Sequence, residues 1–113
     1  EFVERLSDAA PLALASNTRR SLVNRVLGGT PFAHRFETVV CGDEAAPKPA
    51  PDLYLLACRQ LGIDPAHSLA FEDSPTGVTA AKSAGLTCVG VPSDPRKPLH
   101  DADLVVESLA ALL

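Results

Sequence analysis

Four short apolar runs alternate with stretches of helical spacing, and this alternation constrains the chain more than any other feature. LALAS at 12–16, ETVVC at 37–41, SLAFE at 68–72 and LTCVGV at 86–91 are of strand length. They read as near-continuous apolar segments, as strands buried on both faces do. Between them lie helical patterns. Residues 2–9 place Phe2, Val3, Leu6 and Ala9 or Ala10 on one side, and Pro11 stops the run. Residues 19–28 follow Thr18, which is placed to cap them, and end at Gly28-Gly29. Residues 52–61 put Leu53, Leu56, Ala57 and Leu61 on one face with Gly62 after them, and 75–84 follow Ser74-Pro75, suited to N-cap and N1. ADLVVES at 102–108 holds one more strand, and a short helix closes the chain. Repeated β–α alternation of this kind predicts an α/β fold: a Rossmann-like parallel sheet with helices on both faces and right-handed crossovers. The 113 residues suit a single domain, 1–113.

Composition excludes several classes. A net charge of −4 provides no basic footprint for nucleic acid. No apolar run approaches the ~18–20 residues needed to span a bilayer, so no membrane partner is expected. Nothing reads as a leader, which points to the cytoplasm. Cys41, Cys58 and Cys88 are odd in number, far apart and free of any CxxC pair. They are expected to be reduced, buried small hydrophobes. His34, His67 and His100 form no i,i+4 pair on which zinc could be built. The chain has no methionine and opens on EFVERLSDAAP, which reads as the tail of a helix already under way, with Glu1-Phe2 a candidate cloning scar. It is therefore expected to be part of a longer polypeptide.

In parallel α/β sheets, ligand groups gather beyond the carboxyl ends of the strands. There the first run ends in Ser16-Asn17-Thr18, the second leads to Lys48 between Pro47 and Pro49, and the third ends in Glu72-Asp73-Ser74. Each group has an ordinary reading: a helix N-cap cluster, a solvated loop lysine, and acids favouring the positive end of the next helix. Together they describe a phosphate site. A hydroxyl with helix-start N–H groups binds phosphate oxygens, lysine adds a compact positive charge, and hard carboxylates suit Mg2+. The flanking prolines restrict the Lys48 backbone, and Gly77 in the following helix permits close approach of a neighbour.

In this order, LALASNT, KPAPDLYLLACRQLGI, AFEDSPTGVTAAKSAG and ADLVVESLAALL resemble the haloacid dehalogenase-like superfamily, in particular its phosphatase and β-phosphoglucomutase-like branch. The resemblance covers nearly the whole chain, and FEDSPTGVTAAKSAG is its most specific part. It implies phosphate binding by Ser16 with Asn17 beside it. It implies that Lys48 stabilises the nucleophile and the transferring phosphoryl group, and that Glu72 and Asp73 position Mg2+, with Asp73 the direct ligand. It also implies a small phosphorylated metabolite as substrate and an aspartyl phosphate on the first Asp of a DxDGT motif. That motif is absent from these 113 residues, since DAD at 101–103 precedes a strand rather than following one. The inserted cap that selects substrate in the resembling group is absent as well. The chain is thus expected to be a partial core domain, inactive alone because it lacks a nucleophile.

In the resembling fold the nucleophile's strand is central, between the strand ending at Ser16 and the strand ending at Glu72. Without it two strand edges are exposed, and exposed edges invite pairing. The chain is expected to close that gap, to self-associate through it, or to belong to a longer polypeptide. Phosphatase and mutase are equally compatible with these residues, and dehalogenase activity fits the acidic pair less well. The alternative is a non-catalytic phosphate- or metal-binding module of receiver type with Asp73 as phosphoacceptor. Against it, Lys48 precedes the acid, whereas a receiver's lysine follows it.

Overall fold

Short apolar segments pair in the computed structural model, which describes residues 1–113, but they form two parallel sheets. The chain order is α1 (Phe2–Ala9), β1 (Ala13–Ala15), α2 (Arg20–Gly28), β2 (Thr38–Val40), α3 (Asp52–Leu61), β3 (Leu69–Glu72), α4 (Pro75–Ser83), β4 (Thr87–Gly90) and β5 (Leu104–Val105). Strand β1 pairs with β2, Leu14 opposite Val39. Strands β3, β4 and β5 form the second sheet, Phe71 opposite Val89 and Val89 opposite Leu104. No pairing joins β1 to β3. The expected edges are therefore both present, and direct pairing of β1 with β3 is not how they are resolved. The radius of gyration, 13.3 Å, is nevertheless that of one compact body of this length.

Right-handed crossovers put α3 and α4, which carry the chain toward β5, on one face, and α2, which carries it the other way, on the opposite face. Packing agrees. Ala70 of β3 joins Tyr54, Cys58, Val78, Ala80, Ala81 and Cys88 in a buried cluster beneath α3 and α4. On the other face Phe2 of α1 meets Phe71 edge-on, with ring centroids 5.2 Å apart. A smaller core of Val40, Leu53 and Ala57 lies under the other sheet, and Ala15 of β1 packs against both. A domain of this size ordinarily has one contiguous core; here the division of the core follows the division of the sheet. All three cysteines are buried and unpaired, as expected. No helix is long and apolar enough to cross a membrane.

Several local expectations need correction. Thr18 does not cap α2. Its own N–H donates to Ser16 Oγ at 3.1 Å, the cap position is Arg19, and the Arg20 N–H is received by Asp43 Oδ1 at 3.0 Å. The cap thus comes from the loop after β2, a partner too distant in sequence to anticipate. Of the apolar face expected on α3, Leu53 and Ala57 are buried and Leu56 and Leu61 only half-buried; Tyr54 and Cys58 complete the buried face. The last strand has two residues, the closing helix is a 3-10 turn at Leu109–Leu112, and further 3-10 turns sit at Ala33–Arg35 and Pro65–His67. Other features follow the sequence directly. Gly62 ends α3 in the left-handed region at φ 69°, and Ser74 Oγ accepts from the Gly77 N–H at 3.2 Å with Pro75 at the first helical position.

Candidate functional site

The break between the sheets is bridged at its carboxyl end by one side chain. Lys48 Nζ donates to the carbonyl of Ala15, the last residue of β1, at 2.9 Å. It also donates to Glu72 Oε2, at the end of β3, at 2.6 Å. Both ions are withdrawn from water, with 11% and 8% of their side-chain surfaces exposed. A buried pair is tolerated only with good geometry and further hydrogen bonds. Those are present. The Tyr54 hydroxyl donates to the same Glu72 oxygen, and Lys48 Nζ stands 5.0 Å from the centroid of the Tyr54 ring. Burial, then the charge of Glu72 and the hydrogen bond to it, push the Tyr54 hydroxyl above the ordinary tyrosine range.

The rest of the site holds this cluster in place. A Cβ on Gly77 would fall 1.8 Å from Glu72 Oε1, so the carboxylate lies directly against the first turn of α4. Asn17 grips the peptide of Lys48 from β1's end. Its Oδ1 accepts from the Lys48 N–H at 2.7 Å and its Nδ2 donates to the Lys48 carbonyl at 3.2 Å. Gly42 permits this crossing, since a Cβ there would lie 1.8 Å from the Asn17 carbonyl oxygen. The loop after β2 is anchored independently. Arg20 meets Glu44 through two bonds, Nε to Oε2 and Nη2 to Oε1, both 2.8 Å, and Glu44 Oε1 accepts from the Cys41 N–H at 2.7 Å. The Arg20 bond, then the Cys41 N–H, pull the Glu44 carboxyl below its usual range.

Ser16, Asn17, Lys48, Glu72 and Asp73 thus all lie at the carboxyl ends of β1 and β3 or in the loop after β2, and Asn17, Lys48 and Glu72 are linked by hydrogen bonds, while Ser16 and Asp73 bond to other partners. Ser16 Oγ accepts from the Thr18 N–H, as above, and both ends of the Asn17 amide engage the Lys48 peptide. Asp73 is exposed, and its carbonyl accepts from the N–H and hydroxyl of Ser93, both at 3.4 Å. No group of three or more His, Cys, Asp or Glu side chains gathers in the fold. Sequence reasoning missed Tyr54. Its one signal was a lone polar aromatic one turn before Cys58 within an otherwise apolar helix face.

A family model for haloacid dehalogenase-like hydrolases matches residues 1–85. Protein CbbY of Rhodobacter capsulatus is 46% identical over 99 residues, 83% of this chain and 44% of that protein. The putative phosphatase YhcW of Bacillus subtilis is 40% identical over 104 residues, 89% of this chain and 47% of its own length. In structure, CbbY from Rhodobacter sphaeroides in complex with phosphate superposes with a TM-score of 0.87 at 34% identity, over 98% of this chain and 52% of that one. A putative β-phosphoglucomutase from Thermotoga maritima gives a TM-score of 0.87 at 32% identity, over 98% and 56%. The chain spans about half the length of the relatives it matches.

Proposed function

This chain belongs to the haloacid dehalogenase-like hydrolases, and from that premise we propose that it supplies the phosphate-holding part of a Mg2+-dependent phosphatase or phosphomutase site. The substrate would be a small phosphorylated metabolite. The observation that carries the reading is the Lys48 ammonium, held between Ala15 O and Glu72 Oε2 at the open end of the break.

Donor counts support it. An ammonium has three N–H donors, and two are engaged here. The third is available to a phosphate oxygen. Ser16 Oγ accepts from the Thr18 N–H, which leaves its own O–H to donate outward from the end of β1. Glu72 neutralises Lys48 while the site is empty of phosphate, and Asn17 fixes the peptide that carries the lysine. The donor set also fits Mg2+, which commonly takes only one or two protein carboxylates and completes its shell with water and phosphate. Asp73, exposed and free of side-chain partners, would hold the ion, with Glu72 beside it through whatever Lys48 and Tyr54 leave free. When bound, the ion would neutralise charge on the phosphoryl oxygens.

The covalent step of this reading is attack by an aspartate of a DxDGT motif, giving an aspartyl phosphate. These residues contain no such motif, so the chain by itself should bind phosphate without turnover. The test is titration of the chain with inorganic phosphate, with and without Mg2+, by calorimetry, alongside hydrolysis of p-nitrophenyl phosphate. Lys48→Met should weaken phosphate binding about tenfold or more, the scale of one charge-assisted hydrogen bond. Equal affinity of the two proteins, or Mg2+-dependent hydrolysis by the chain alone, would overturn the assignment.

A further inference from the structure

Tyr54 touches both members of the buried ion pair, the acid through its hydroxyl and the cation beneath its ring. It is also the only tyrosine of a chain without tryptophan. We propose that Tyr54 is a positioning residue: its hydroxyl fixes the Glu72 carboxylate and its ring supports Lys48, so that the ammonium stays at the end of β1 instead of swinging into solvent.

Three features converge on this role. Glu72 Oε2 receives both donors while Oε1 lies against Gly77, so the carboxylate has no freedom to follow Lys48 outward. Tyr54 sits on the buried face of α3 with Leu53, Ala57 and Cys58, so its ring is anchored by the core rather than by the site. The ring also lies beside the cation, with Lys48 Nζ 5.0 Å from its centroid. Phenylalanine at this position would keep the ring beneath Lys48 and remove only the donor to Glu72. The substitution therefore separates the two contributions.

The inference rests on the reading of Lys48 as the phosphate-facing cation, and the experiment separates the two. The positioning claim is read from lysine reactivity with no phosphate present. The chain has three lysines, Lys48, Lys82 and Lys97. Lys82 is partly exposed and paired with Asp103, Lys97 is exposed, and both serve as internal references. Acetylation by an N-hydroxysuccinimide ester, followed by peptide mass analysis, should find Lys48 the slowest of the three in the native chain. In Tyr54→Phe, Lys48 should react at least threefold faster with Lys82 and Lys97 unchanged. Unchanged Lys48 would overturn the proposal. Equal acceleration of all three would show general loosening and overturn it as well. Phosphate binding that stays weak while the lysine readout behaves as expected would sink the phosphate reading and leave the positioning role standing.

Discussion

Gly77→Ala is a substitution whose sign depends on whether Glu72 is held in place. On helix propensity alone, alanine in the first turn of α4 would stabilise the protein by up to ~1 kcal/mol. The new Cβ would, however, lie 1.8 Å from Oε1, 2.3 Å from Cδ and 2.9 Å from Oε2 of Glu72. Ordinary carbon contacts begin near ~3.5 Å, so the carboxylate must retreat by more than an ångström. A free glutamate would rotate away at little cost. This one accepts from Lys48 at 2.6 Å and from Tyr54, and its side chain is 8% exposed. Loss of two hydrogen bonds to a buried charge costs about 1.5 kcal/mol each at the low end of the range. The balance is a destabilisation of about 2 kcal/mol, and a fall in Tm of the order of 10 °C for a domain this small. Urea unfolding followed by circular dichroism measures it. If Gly77→Ala proves as stable as the native chain or more so, Glu72 is mobile, and the cluster built around it does not exist in solution. The same variant should also bring Lys48 acetylation up toward the rate of Lys82, since Lys48 loses its acceptor.

Three further outcomes follow from the same geometry. Asn17→Ala removes both bonds to the Lys48 peptide, 2.7 and 3.2 Å; amide exchange at Lys48 should accelerate selectively, at a stability cost of about 1 kcal/mol because the pair is exposed, and unchanged exchange would refute the clamp. Asp103 accepts from the Cys88 N–H at 2.7 Å and from Lys82 at 2.9 Å, and these bonds hold its carboxyl below the ordinary range. A depressed carboxylate stabilises the fold above its unfolded pKa and loses that contribution as pH falls. Acid unfolding should therefore steepen below about pH 5, and Asp103→Asn should flatten that limb relative to the native chain. The open edges of β1 and β3 should drive self-association, so sedimentation at tens of micromolar should show species heavier than 11.8 kDa. A single monomer with one sharp unfolding transition would remove that expectation.

What could be read from the sequence and what could not divide along a physical line. Helices α1 and α3 lie where the 3.6-residue spacing and the flanking proline and Gly62 put them, because those signals are local and nothing remote overrides them. The break between β1 and β3 was also legible, since it depends on chain order and on a strand that these residues do not contain. The contents of the site were legible only as residue types at strand ends. Alternation along β3 turns Glu72 to the same face as Ala70, toward α3, and that much follows from the two-residue period. That its partners would be Lys48, 24 residues earlier, and Tyr54, 18 residues earlier, depends on the path of the loop after β2. That path is set by the Asn17, Arg20, Asp43 and Glu44 contacts, each bridging segments remote in sequence. The α2 cap went to Asp43 for the same reason. A neighbouring Thr18 competes for the helix start only until a distant carboxylate is delivered with better geometry. The buried face of α3 extends from Leu53 and Ala57 to Tyr54 and Cys58 because burial there is decided by where β3 and α4 pack, and that packing seats Tyr54 beneath the ion pair. The expected face of α3 thus holds at Leu53 and Ala57, and Tyr54, which widens it, supplies the support on which Lys48 rests.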